Sequence, residues 1–262
     1  MNAFEGILER PLPNRTNKPR ETGLTMMIDK GLGVTQAESL AEIAHQWIDI
    51  AKLGFGTSSL CPQEVIRRKT AAYREHDIYV MPGGTLLEAV TAQGKLNEFL
   101  IEAKELGFNA IEVSDGTIPM NDETRADVIK RVSDGGFLVL SEVGSKFADM
   151  DLPAEETARS LLRDLELGAF QVIVESREAG KGVGIYDAAG QIVDDKLAHI
   201  VEQVDVSNVM FEAPEKSQQV ALIQKFGVNI SLGNIQPTDV LALECLRAGL
   251  RADTLRGIYQ QG

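Results

Sequence analysis

Glu112, Glu175 and Glu212 each stand in or directly after a short apolar run, Glu142 stands two residues past another, Lys52 ends a further such run, and Lys146 lies four residues past Glu142. Four carboxylates at equivalent places on neighbouring strands form an oxygen-rich ring of the kind that holds a hard divalent ion such as Mg2+, with water and substrate oxygens completing the octahedron. The competing use of the same acids is pairing with Lys52, Lys146 or Arg177. Lys146 has the chemistry of a general acid, a Schiff-base nucleophile or an anion clamp, and a lysine partly out of water among cations is expected to have a lowered pKa. Lys52 follows Ile50 at the period of a strand and is expected to point inward, where an amine is paired or catalytic. A second signal is the basic, glycine-rich stretch from Arg177 through Lys181 to Gly184, suited to a phosphate or sulfonate. Gly83, Gly84 and Thr85 offer similar chemistry before a helix, where the dipole favours an anion. Other polar residues at run ends are Asp29, Lys30, Ser114, Asp115, Ser145 and Asn234. His45, His76 and His199 fall on helical stretches, so zinc or histidine-base chemistry is not expected, and Cys61 and Cys245 lack metal spacing and read as structural thiols.

The elements that must position these groups are eight apolar runs, at 24–28, 48–52, 78–81, 110–113, 138–140, 171–174, 209–211 and 229–232. Helical patterns lie at 36–47, 63–75, 86–106 with a break at Gly94, 122–133, 154–167, 196–204, 217–226 and 238–248, several of them stopped by glycine (Gly107, Gly168, Gly227, Gly249). Strands alternating with helices imply a parallel sheet, and eight such units are what closes a (β/α)8 TIM barrel, whose chemistry sits at the C-terminal strand ends. A barrel filled only for stability would place Val, Ile and Leu where this chain places ionisable groups. The expected organisation is one barrel domain, 23–262, preceded by an extended Pro/Arg arm, 1–22, wrapping the barrel base or a neighbour.

The net charge of -13 argues against a nucleic-acid or anionic-membrane surface, so an anionic substrate needs a local basic pocket. No apolar run approaches the length of a membrane span, and residues 1–20 contain no apolar stretch of signal-peptide type. A cytoplasmic location is expected, with neither nucleic acid nor membrane as partner.

The run ends together resemble the phosphosulfolactate synthase family. The likeness is carried by Asp29-Lys30-Gly31, Lys52 to Ser58, Pro82 to Leu86, Glu112 to Gly116, Ser141 to Gly144, Glu175 to Gly180, Phe211 to Pro214 and Leu243 to Arg247, and it extends from about Asn17 to Leu255. Arg15 to Gly23 is similar to the branch from sporulating bacteria. The chain differs from the family's usual pattern at Ser176, Ala179 and around Ser231 to Ile235. The resemblance implies a homo-oligomeric (β/α)8 barrel that adds sulfite to phosphoenolpyruvate with Mg2+, giving (2R)-phospho-3-sulfolactate on routes to coenzyme M or sulfolactate. It implies metal ligands among Glu112, Glu142, Glu175 and Glu212, and Lys146 as proton donor in preference to Lys52. Substrate contacts are expected from Lys30, Gly84, Thr85, Ser114, Arg177, Lys181 and Asn234. Plant heat-stress-associated proteins share the pattern, so a non-catalytic relative stays open, as does a Schiff-base aldolase using Lys146 or Lys52.

Overall fold

The computed structural model describes residues 3, 4 and 6–259, without the side chains of Ala148 and Tyr259. Eight parallel strands form one sheet: β1 (Thr25–Asp29), β2 (Ile50–Leu53), β3 (Tyr79–Pro82), β4 (Ala110–Val113), β5 (Leu138–Val143), β6 (Gln171–Val174), β7 (Val209–Glu212) and β8 (Ser231–Ile235). Their order, β3-β2-β1-β8-β7-β6-β5-β4, brings the two end strands around to face each other, as the barrel reading requires. Across that last gap Asn109 N–H donates to the Val80 carbonyl at 3.2 Å, and the Val80 N–H donates to Asn109 Oδ1 at 2.8 Å.

The helices α1 (Val34–Ala44), α2 (Gln63–Arg74), α3 (Gly84–Ala92), α4 (Leu96–Glu105), α5 (Asp122–Asp134), α6 (Ala154–Glu166), α7 (Asp194–Gln203), α8 (Lys216–Phe226), α9 (Val240–Arg247) and α10 (Ala252–Tyr259) surround the sheet. Ala37, Ala41 and Ala44 show the principle: small residues three and four apart on α1 form the buried stripe that lets the helix lie close on the strands. The pattern at 86–106 splits into α3 and α4, because Gly94 adopts a φ of 70° that ends the first helix.

Two apolar layers follow from the strand period. Outward residues pack against helices, while Leu24, Met26, Ile50, Met81, Ala110, Leu140, Ile173 and Met210 fill the barrel axis. A small residue packs best at position 233, since a Cβ on Gly233 would lie 2.7 Å from Met26 Cε and push that methionine tip aside. That need hides β8 in the sequence: the strand is Ser231–Ile235, two residues later than the run at 229–232, because its Ser-Leu-Gly-Asn composition looks like a tip. Asn229 instead accepts the Thr16 N–H at 3.0 Å through Oδ1.

The arm lies across the barrel base. Arg15 Nε pairs with Glu244 at 3.1 Å, and Lys18 Nζ donates to the carbonyls of His45, Ile48 and His76 at 3.1, 2.8 and 3.2 Å.

Candidate active site

Five of the charged residues sit two positions beyond a residue of the axial core: Lys52 after Ile50, Glu112 after Ala110, Glu142 after Leu140, Glu175 after Ile173 and Glu212 after Met210. Alternation along each strand therefore aims them at the axis, one layer higher, where the barrel stops being apolar. They line a cavity of about 240 Å³ at the C-terminal mouth, together with Lys146, Gly84, Thr85, Arg177 and Asn234.

Lys52 Nζ lies at the centre, 2.6 Å from Glu112, 3.2 Å from Glu142 and 3.5 Å from Glu212. Lys146 Nζ lies 2.7 Å from Glu142, 3.1 Å from Glu175 and 3.2 Å from Ser114 Oγ. Ser114 is fully buried and within 2.7 Å of Glu88, an acid from α3 that also accepts the N–H groups of Thr117 and Ile118 at 2.8 and 2.5 Å. Glu88 was not anticipated from the sequence, since it lies in a helix and at no strand end.

One oxygen from each of Glu142, Glu175 and Glu212 lies within 4.8 Å of the others, so these three could hold a metal ion. Glu112 stands apart from the fourfold ring expected for it. Its Oε1 faces Lys52, and its Oε2 accepts the Gly84 N–H at 2.6 Å.

The electrostatics show a cluster short of positive charge. With Glu88, whose Oε1 lies 3.7 Å from Lys146 Nζ, five carboxylates face two ammonium groups. Burial raises Glu112 to about 7, with Lys52 opposing and Glu142 reinforcing; burial and then Glu142 raise Glu175 to about 7. Burial followed by Glu175 raises Glu212 well above the usual range. Burial would raise Glu142 as well, but Lys146 and Lys52 together hold it well below. The lowered pKa expected for Lys146 is not found. Burial does oppose its charge, but Glu142 and Glu175 outweigh that cost and raise it, and Lys52 is raised in the same way by Glu112, Glu142 and Glu212. The sequence reading placed Lys146 among cations, whereas its neighbours are carboxylates.

The remaining expected residues divide. Arg177 lines the mouth, its backbone at a φ of 65° and its N–H donating to Glu175 at 2.5 Å. Asn234, 4% exposed, lines it too, with Oδ1 lacking a hydrogen-bond partner. Lys30 lies at the rim, ion-paired with Glu178 of the β6–α7 loop. Lys181 is exposed and outside the cavity lining, its stem packed where a Cβ of Gly190 would stand. Asp29 faces the helices, paired with Lys69 at 2.7 Å and accepting from Tyr73 at 2.8 Å. Asp115 is paired with the buried Arg125 at 2.7 Å.

Fold and site define an α/β barrel of the enzyme type, with carboxylates and lysines gathered at the C-terminal strand ends. A solved relative in shape is the 3-hexulose-6-phosphate synthase of Salmonella typhimurium, with a TM-score of 0.55 and 16% identity over 91% of this chain and 100% of that one, a likeness of fold alone. The chain belongs to the phosphosulfolactate synthase family: the family model for (2R)-phospho-3-sulfolactate synthase (ComA) matches residues 13–253. The phosphosulfolactate synthase of Methanocaldococcus jannaschii is 44% identical over 256 residues, covering 97% of this chain and 98% of that protein. That of Bacillus subtilis is 43% identical over 249 residues, covering 93% and 96%. Such similar identities do not separate the archaeal from the bacterial branch.

Proposed function

We propose that this protein adds sulfite to phosphoenolpyruvate, with Mg2+, to give (2R)-phospho-3-sulfolactate. The observation that carries the reading is the inward cluster of Glu142, Glu175, Glu212, Lys52 and Lys146 in a chain matched to this family over 13–253.

The donor set fits the metal. Three buried carboxylates, each offering an oxygen within 4.8 Å of the others, supply the all-oxygen setting that a hard divalent cation prefers. Glu142, Glu175 and Glu212 would hold Mg2+, which when bound supplies positive charge to stabilise charge developing on the substrate carboxylate. This chain's own residues do the rest. Arg177, Lys30 and the start of α3 at Thr85, with Asn234, bind and orient two anions that would otherwise be repelled by an acidic protein. The sulfur lone pair forms a bond to the methylene carbon, and the carbon–carbon double-bond pair moves towards the carboxylate. Lys146 then gives its Nζ proton to the carbon bearing the phosphate and recovers one from solvent. Its carboxylate neighbours keep it charged before the reaction, so that Nζ carries the proton to be delivered. Lys52 offsets part of the charge of Glu112, Glu142 and Glu212 in the floor of the mouth.

Phosphorus NMR of the protein with phosphoenolpyruvate and Mg2+, with and without sulfite, tests the reading. A new alkyl phosphate resonance that requires sulfite is expected. A lysine adduct trapped by borohydride would favour the aldolase, and absence of sulfite-dependent turnover with any divalent ion would favour a non-catalytic relative. Homo-oligomeric assembly and a cytoplasmic setting belong to the same proposal; among the described residues no helix is long and apolar enough to cross a membrane.

A further inference from the structure

Two residues of the mouth are unexplained by any charge argument. Phe55, between β2 and α2, and Phe147, between β5 and α6, both line the cavity, yet they are 40% and 44% exposed. Exposed aromatic rings beside a floor of carboxylates and ammonium groups serve neither the core nor the metal. Phe55 is also held in an unfavourable backbone conformation, with a φ of 60° that bulky L residues seldom adopt. Its neighbour fixes it there: the Gly83 backbone comes so close that a Cβ on Gly83 would stand 2.5 Å from the Phe55 carbonyl oxygen and 2.9 Å from its Cα. A strained residue, braced by a glycine and presenting an apolar ring to a polar cavity, is the kind of cost a fold retains at a working site.

We propose that Phe55 and Phe147 are shutters that keep bulk water from the carbon being protonated, so that only Lys146 serves it. This rests on the sulfite-addition reading. Once the sulfur–carbon bond has formed, the carbon bearing the phosphate is trigonal and accepts a proton on either face. Delivery from Lys146 gives the (2R) product, whereas delivery from water on the opposite face gives the (2S) epimer with the same atoms and charge. Excluding water is therefore a stereochemical requirement as well as an electrostatic one. The two rings are positioning residues, acting through solvent.

The test compares wild type with Phe55→Gly, Phe55→Leu and Phe147→Ala, reading kcat/KM, product epimers by chiral chromatography, and melting temperature. Glycine adopts the strained φ freely, so Phe55→Gly is expected to melt no lower than wild type. Phe55→Gly and Phe147→Ala should each lose about tenfold in kcat/KM and release the (2S) epimer beside the (2R), while Phe55→Leu, which keeps an apolar wall, stays epimerically pure. Retention of wild-type kcat/KM and pure (2R) product in both truncations would overturn the inference. Lack of turnover in wild type would instead sink the synthase reading and, with it, the inference.

Discussion

Lys52 and Lys146 share Glu142 yet differ in surroundings, and the difference predicts different failures. Lys146 is partly open to the mouth and is our proton donor, so Lys146→Met should lose at least about a hundredfold in turnover while melting near the wild-type temperature. Lys52 is buried among three acids, and Lys52→Met would leave them without their common counter-charge, costing roughly 3 to 5 kcal/mol in a denaturant titration. If the two substitutions proved interchangeable in both measurements, the division of labour would be wrong. The acids give a pH prediction of definite sign. Glu112 and Glu175 are raised from the ordinary 4.5 to about 7, so between these values the folded protein binds more protons than the unfolded chain. Their contribution to stability is full below 4.5 and is lost as pH rises through about 7. A bound cation competes with those protons, so Mg2+ affinity should climb between about pH 6 and 8 with proton release, measurable by calorimetry in buffers of different ionisation enthalpy. A flat affinity over that range would contradict it. The strand-end glutamates were legible in the sequence because each follows an inward apolar residue at period two. Their pairing partners were not legible. Which ammonium meets which carboxylate depends on barrel closure, and Glu88 enters the cluster from a helix that sequence position gave no reason to connect.

Among the elements, the β6–α7 segment is where sequence and structure part. Its glycines were readable as a loop, and Gly180, Gly182 and Gly184 take φ values of 62°, 75° and 62°. What anchors it was not readable, because the anchor comes from α8: Gln218 Nε2 donates to the carbonyls of Gly180 at 2.7 Å and Gly190 at 3.3 Å. The Gly190 turn carries Lys181 away from the mouth, so its basic charge misled, while Arg177, three residues before Gly180, does reach the cavity. Gln218→Ala should loosen this segment with little change in global stability, raising KM for phosphoenolpyruvate several-fold and exposing 177–191 to limited proteolysis. Unchanged protease resistance would show that the loop is held by something else. Strand β8 was displaced for a related reason, since a glycine needed for close packing was indistinguishable from one needed for a turn.

For the molecule as a whole, size of cavity is a poor guide and strand direction a good one. A larger void, about 710 Å³, lies at the barrel base, lined by Lys18, Arg20, Asp49 and His76, yet the converging acids and lysines are at the opposite pole. At the base the arm is instead held to the barrel by the Arg15–Glu244 ion pair and the hydrogen bonds of Lys18. Arg15→Ala would strand the buried Glu244 without its partner and should cost about 3 to 5 kcal/mol, lowering the melting temperature while leaving KM nearly unaltered. A large KM effect would mean that the two poles communicate. The (β/α)8 rhythm was open to inspection from the order of apolar runs, because a parallel barrel repeats one local instruction eight times. The closing gap carried no such repeated signal.

That gap gives Glu112 a second employment. Its carboxylate is a rivet between the head of β4 and the first turn of α3, through the Gly84 N–H, at the one place where the hoop of strands meets its own tail. Anything that takes Lys52 from its other oxygen also alters the tension on the rivet. Occupancy of the mouth should thus tighten the hoop, and backbone amides of 79–84 and 110–113 should exchange with deuterium more slowly when Mg2+ and phosphoenolpyruvate are present.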